Sequence, residues 1–232
     1  MMDINRHKFL LVQILKDIYS DIELANWLGF KGGTALMFFY DLPRFSVDLD
    51  FNLINTEKVD TVYEKVRAIL LKYGRITDEA KKFFGPILVL DYGAGERKLK
   101  IEISVRQFDN HYEIKNLLGI NMKVLVKPDM FAHKLCALLD RNVLTTRDIF
   151  DCWFFMQKQT PVNKSIIESR MEMIYSEYIQ KCIETLESMN DKGLLQGLGE
   201  LMDSDLKNFV RSKLRTDTIG LLKFYKDFPI LA

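Results

Sequence analysis

The chain has 232 residues, 48% of them hydrophobic and 28% charged, with a formal net charge of +1. That length suffices for one large domain or for an α/β domain followed by a helical one. The near-neutral charge excludes a protein that coats nucleic acid by bulk electrostatics, although not one with a local basic patch, and no apolar run is long enough to cross a bilayer.

In chain order, His7 to about Trp27 carries apolar residues at helical spacing, with Phe9, Leu10, Val12, Ile14, Leu15, Ile18 and Tyr19 on one stripe. Ser20-Asp21 is a natural break, able to cap a second short helix. The N-terminus itself interrupts its apolar positions with charges and lacks a small-residue cleavage site, so no signal peptide is expected. After the apolar stretch Trp27-Leu28-Gly29-Phe30 comes Lys31-Gly32-Gly33-Thr34, then a helix over Ala35–Tyr40 that stops before Asp41-Leu42-Pro43.

Val47 to Leu53 alternates without a break. A period of two places Asp48 and Asp50 on one strand face and Val47, Leu49, Phe51 and Leu53 on the other. Thr56–Tyr73 reads as an amphipathic helix. Phe83–Tyr92 and Lys98–Phe108 read as strands joined by a hairpin turn at Gly93-Ala94-Gly95-Glu96, and Met122–Val126 as a further strand. Beyond Pro128 the pattern is helical throughout: Asp129–Asp140, Thr146–Gln157, Lys164–Arg170, Ser176–Met189 and Asp205–Tyr225. The expected division is therefore an α/β domain over 1–127 and a helical domain over 128–232 that completes the active-site cleft.

Several chemistries are absent from the sequence. It holds neither a Gly-x-Ser-x-Gly elbow nor a Walker phosphate loop. His7, His111 and His133 stand apart, and none reads as catalytic. Cys136, Cys152 and Cys182 are widely spaced without a Cys-x-x-Cys pair, which fits free thiols in a reducing cytoplasm. His133 with Cys136 has no second ligand pair to complete a zinc site.

The informative stretch is Lys31-Gly32-Gly33-Thr34 followed by Arg44-Phe45-Ser46-Val47-Asp48-Leu49-Asp50-Phe51. Glycines at the mouth of a helix let backbone amides approach a phosphate chain, and Thr34 can add a hydroxyl donor. Two carboxylates one residue apart on a strand point the same way. Divalent ions bridged by them can bind a triphosphate and orient an attacking hydroxyl. Taken singly, Gly-Gly is more often a tight turn and Asp-x-Asp a solvated face; here they occur in order, and the aspartates sit among apolar residues where idle carboxylates are costly. Arg44 can clamp phosphate oxygens, or equally form a structural bridge to Asp48 or Asp41.

The string Phe-Lys-Gly-Gly-Thr-Ala-Leu … Arg-x-Ser-x-Asp-Leu-Asp-Phe resembles the AbiEii/AbiGii-type toxin branch of the polymerase-β-like nucleotidyltransferases. The segment Lys98–Ser104 resembles the family's next strand, where Glu102 takes the place of a third carboxylate. Phe131–Arg141 with Thr146–Asp151 resembles its Lys-Leu-x-Ala-Leu … Arg-Asp-x-Tyr-Asp block, with Phe150 in place of the usual tyrosine. The resemblance covers roughly the first two thirds of the chain.

It implies an α+β fold, a mixed twisted sheet flanked by helices and followed by a helical region. It also implies an NTP-dependent transferase in which Asp48, Asp50 and Glu102 hold two Mg²⁺ ions. Gly32, Gly33, Thr34, Arg44 and Lys134 would then bind the triphosphate, with Lys134 offsetting charge on the leaving pyrophosphate. Asp148 is expected to orient Lys134 or serve the acceptor, while Asp151 is equally explained by a surface pair with Arg147, its i−4 neighbour. The implied acceptor is RNA, with the tRNA 3′ end a candidate, and the implied partner is a cognate antitoxin in a bacterial toxin–antitoxin or phage-defence system. The alternatives are transfer to a small molecule or protein, and a non-catalytic nucleotide-binding protein. Lys207, Arg211 and Arg215, four residues apart, form a basic helix stripe that suits RNA but is more often plain solvated surface.

Overall fold

The computed structural model describes residues 3–93, 96–140, 143–189 and 202–232. Ala94 and Gly95 of the expected turn, and Arg141 at the end of the segment that resembles the family's block, lie outside the described residues. The chain divides into two compact units. The first comprises the chain to Asp41, Ser46–Gln107 and Tyr112–Leu125; the second comprises Leu42–Phe45, Phe108–His111 and everything from Val126 onward.

The first unit is built on a seven-stranded mixed sheet. Its strands are β1 (Leu28–Lys31), β2 (Leu49–Leu53), β3 (Arg75–Lys82), β4 (Gly85–Asp91), β5 (Leu99–Ser104), β6 (Tyr112–Leu117) and β7 (Ile120–Leu125), in spatial order β3-β4-β5-β2-β1-β7-β6. β2 runs parallel to β5 and β1 parallel to β7, and the remaining neighbours are antiparallel. Helices α1 (Ile4–Ser20), α2 (Ile22–Trp27), α3 (Gly32–Phe39) and α4 (Val59–Leu70) belong to the same unit.

The break at Ser20-Asp21 forms as expected: the Asp21 carboxylate accepts from the amides of Glu23 and Leu24 and caps α2. α1 buries Leu11, Ile14, Leu15 and Ile18 completely, but Phe9 faces out at 66% exposure, one position off the true stripe. On the inner face of the sheet Leu49, Phe51, Leu53, Ile101 and Ile103 are fully buried, and Phe30 and Phe51 pack ring to ring at 5.4 Å. The expected Thr56–Tyr73 helix is a short 3₁₀ turn (Thr56–Lys58) leading into α4.

The second unit is helical: α5 (Lys127–Asp140), α6 (Thr146–Gln157), α7 (Lys164–Met171), α8 (Tyr175–Ser188), α9 (Ser204–Ser212) and α10 (Leu214–Asp227). Phe131 stacks on Phe155 at 5.0 Å and meets Tyr225 edge-on at 5.6 Å. Buried Tyr178 donates to the Leu135 carbonyl and Tyr225 to that of Thr160, so their hydroxyls are satisfied where they enter the core. Cys136, Cys152 and Cys182 are free and buried here.

The expected single helix over Asp205–Tyr225 is two, divided at Lys213. Lys207 and Arg211 therefore lie on α9 and Arg215 on α10, where its guanidinium donates to the carbonyls of Leu186 and Met189 at the end of α8. The basic stripe does not exist as a continuous feature, because one of its cations closes a helix terminus instead. Among the described residues no helix is long and apolar enough to cross a membrane.

Candidate active site

Asp50 lies mid-sheet on β2, in register with Lys31 of β1 on one side and Glu102 of β5 on the other. Registered partners share a face, so a Lys31–Asp50–Glu102 row crosses three strands opposite the buried apolar face. The next row, Gly29–Asn52–Ser104, is closed off: Asn52 and Ser104 are buried, and a Cβ at Gly29 would collide with the Tyr112 ring. The acidic row is therefore the rim of a filled sheet face, with Asp48, Asp50 and Glu102 all partly exposed.

Asp48 sits one residue ahead of β2 and is held from several sides. The buried Thr34 hydroxyl donates to its carbonyl, and the Lys100 amide donates to its Oδ1 at 3.4 Å. His7, fully buried on α1, binds the preceding carbonyl, Val47, through Nε2 at 2.9 Å, while its Nδ1 lies 2.6 Å from the Tyr92 hydroxyl. A carbonyl can only accept, so Nε2 carries the proton and Nδ1 accepts from Tyr92. Burial lowers the pKa of His7 against the pull of Val47 and Asp48, which keeps the ring neutral. Thr34, expected to face a phosphate, instead ties α3 to the aspartate-bearing segment.

The Gly-Gly turn does face the carboxylates. Gly32 opens α3 with φ of +80°, and a Cβ built on it would lie 2.9 Å from the Asp50 Cβ and 3.0 Å from its Cγ. No side chain fits between that backbone and Asp50. Gly32→Ala is expected to cost about 1–3 kcal/mol from the left-handed backbone alone and to displace the Asp50 carboxylate. Thermal unfolding together with nucleotide transfer checks this, and a variant matching the parent in both shows that the turn has room to spare.

The electrostatics are those of crowded anions. Desolvation, then the charges of Glu102 and Asp48, raise the pKa of Asp50 against Lys100 and Lys31. Glu102 is also desolvated, but Lys100, Lys31 and Arg106 outweigh this and lower its pKa; the Lys100 ammonium lies 3.0 Å from its Oε2. Sequence reasoning passed over Lys31, Lys100 and His7. Lys100 and Glu102 lie two apart on one strand, so the period that paired Asp48 with Asp50 also pairs them; His7 leaves no trace beyond a helical stripe.

The remaining expected residues belong to the helical unit and form a separate cluster. Asp151, fully buried, accepts from Arg44 Nε and Nη2, each at 2.7 Å, one to each carboxylate oxygen, and from Lys134 Nζ at 2.7 Å. Arg44 is also buried, and its third contact is to the Phe45 carbonyl, so its planar fork is spent inside the protein. The bridge open to Arg44 from the sequence is thus real, but its partner is Asp151 rather than Asp48 or Asp41. The partners of Asp151, likewise, are Arg44 and Lys134, not Arg147. Asp151 is desolvated, yet the two cations hold its pKa down at about 2. Lys134 keeps 18% of its side chain exposed and can still offer N–H groups to an anion. Asp148, in the first turn of α6, is buried and accepts from the Thr145 hydroxyl at 2.6 Å. It is Asp151 that holds Lys134.

The family model described as "Nucleotidyl transferase AbiEii toxin, Type IV TA system" matches residues 13–219. The chain belongs to the AbiEii family. The match runs well into the C-terminal third, beyond the motifs by which the sequence resembled the family. No curated protein matches the chain. Among solved structures, the AbiEii chain is similar to a candidate nucleotidyltransferase from H. pylori, with 19% identity, a TM-score of 0.61, and 99% of this chain and 97% of that one covered. It is also similar to JHP933 from Helicobacter pylori, at 20% identity and a TM-score of 0.56 over 99% and 94% of the two chains. At those identities the likeness is one of fold, and it places the seven-stranded mixed sheet and following helices among nucleotidyltransferase-like structures.

Proposed function

We propose that this AbiEii family member is a metal-dependent nucleotidyltransferase that moves a nucleotide from an NTP to a hydroxyl of an RNA acceptor. One observation carries the reading: a glycine turn at the mouth of α3 lies directly against the Asp50 carboxylate, which is itself in register with Glu102. That supplies backbone donors for an anion beside oxygen ligands for hard cations.

The donor set fits magnesium in kind. Asp48, Asp50 and Glu102 offer only oxygen, and the burial, then the repulsion from Glu102 and Asp48, that raise the pKa of Asp50 are what a divalent cation offsets. Among the described residues no three such side chains converge tightly enough to enclose an ion. Asp48 and Asp50 would be the primary ligands, with Glu102, in register with Asp50 and paired with Lys100, placed to assist. Bound divalent ions supply charge neutralisation for the triphosphate and acidify the attacking hydroxyl.

In the reaction the acceptor oxygen bonds to the α-phosphorus as the bond to the bridging oxygen breaks, pyrophosphate departs, and the hydroxyl proton passes to water. The chain's own work is placement. Thr34, His7 and the Lys100 amide hold the Asp48 segment, while Gly32 keeps the backbone close to Asp50.

A cognate antitoxin finds its support in the family's description as a type IV toxin; RNA as acceptor rests on the sequence resemblance alone, since the expected basic stripe is not present as a continuous feature. Incubating the purified protein with α-labelled NTPs, Mg²⁺ and total RNA tests the reading. Label on RNA that is abolished by EDTA is the expected result. Label confined to protein or to a small molecule replaces the acceptor, and absence of both transfer and metal-dependent NTP binding ends the enzymatic reading.

A further inference from the structure

The β3–β4 hairpin turns on two residues, Phe83 and Phe84, between the closing pair Lys82 and Gly85. Tight turns select glycine, asparagine and aspartate for their backbone freedom and polarity. Two phenylalanines bring neither, and here they reach solvent, Phe83 at 91% exposure and Phe84 at 53%. Their rings sit edge to face at 5.0 Å, and the Arg106 guanidinium lies over the Phe84 ring at 4.7 Å.

The tip is held firmly. The Val105 amide donates to the Phe84 carbonyl at 3.0 Å, and Gly85, with φ of +118°, presses so close to β5 that a Cβ there would overlap the Ile103 carbonyl. A rigid aromatic platform with cations beside it, Lys82 and Arg106, matches the chemistry of an unpaired nucleobase on its phosphate chain. The ring faces stack the base and the cations meet the phosphates, with no demand on base identity. Position agrees. Arg106 follows Glu102 by four residues along the same chain, about 13 Å at strand rise, and its charge is felt at Glu102.

We propose that the Phe83-Phe84 tip with Arg106 is the stacking site for an unpaired base of the acceptor strand, close behind the hydroxyl that attacks. This rests on the reading of RNA as the acceptor. The sheet face would hold the reacting terminus and the hairpin the neighbouring nucleotide, which favours single-stranded 3′ ends over blunt duplex.

Fluorescence anisotropy with a labelled single-stranded oligoribonucleotide tests it on the full chain, without need of turnover. Phe83→Ala is expected to weaken binding roughly tenfold, Phe83→Trp to retain it, and Arg106→Ala to weaken it while flattening its salt dependence. Phe83 is nearly all in solvent, so its removal does not threaten the fold, and thermal unfolding verifies that. The same strand annealed into a blunt duplex should bind the parent and Phe83→Ala alike. Parent-level binding by Phe83→Ala overturns the proposal. So does an effect confined to the KM for NTP, which would make the tip a donor-base site, or one confined to anionic vesicles, which would make it a membrane contact. A parent protein that binds no single-stranded RNA overturns it outright. RNA labelling that is indifferent to Phe83 sinks this site alone, whereas Phe83-dependent binding without transfer sinks the enzyme reading alone.

Discussion

Asp50→Asn is expected to lower nucleotide transfer by about a thousandfold or more and to leave the protein at least as stable as the parent. Both halves follow from the same crowding. Asp50 is desolvated and faces the charges of Glu102 and Asp48, so its pKa is raised above that of a free aspartate. An acid whose folded pKa is raised detracts from stability at neutral pH, and the deficit shrinks as pH falls through that pKa. An uncharged amide of the same shape removes the deficit while also removing an anionic ligand. Steady-state transfer with urea unfolding at pH 7 and pH 5 is the measurement. Retained activity refutes the site, and a loss of several kcal/mol in stability makes Asp50 a structural residue.

Asp151→Asn is expected to behave in the opposite way and to cost about 3–5 kcal/mol, because it leaves Arg44 and Lys134 facing one another without the carboxylate between them. The folded pKa of Asp151, about 2, is depressed. Its contribution is thus complete above about pH 4, where an unfolded aspartate is ionised, and is lost as the pH falls toward 2. A difference of that size corresponds to about 2–3 kcal/mol. Chemical unfolding of parent and variant between pH 7 and pH 3 should show the gap narrowing with acid. Asp148→Asn, which keeps an acceptor oxygen for the Thr145 hydroxyl, should cost less, about 1 kcal/mol. Equal losses at the two positions would contradict the assignment of Asp151 as the holder of Lys134.

How much of this could be read from residues alone depended on whether a feature leaves a local period. β2 and β5 bury one face completely, and their alternation makes both strands and both carboxylate rows visible. β3 and β6, at the two edges of the sheet, have no such face. β3 reads Arg-Ile-Thr-Asp-Glu-Ala-Lys-Lys and is charged along its length, and on β6 Ile114 points outward at 65% exposure. Charged and inverted edges guard against sheet-to-sheet pairing, and the same property hides them from a search for alternation. The helix break at Lys213 passed unnoticed because apolar spacing continues across it.

At the site, Asp48, Asp50, Gly32 and Gly33 are neighbours in sequence as well as in space, so spacing and residue type sufficed. The Arg44–Asp151 pair joins positions 107 residues apart. A single ion pair across that separation has no periodic signature, and both residues offered plausible local partners instead. The commitment of Thr34 and His7 to backbone carbonyls is equally silent, since nothing in a hydroxyl or an imidazole says which way it will turn.

Cys136, Cys152 and Cys182 lie on α5, α6 and α8, and all are fully screened from water. Burial pushes the Cys152 thiol well up and that of Cys182 to about 12, so neither is a thiolate near neutrality. The sequence contains just these three, and none is in the sheet unit. A maleimide or disulfide reagent is therefore a clock for one half of the molecule: it stays idle while the helices hold and starts when they part, whatever the sheet is doing. That gives a way to ask whether a nucleotide or RNA bound at the sheet slows the breathing of the helices.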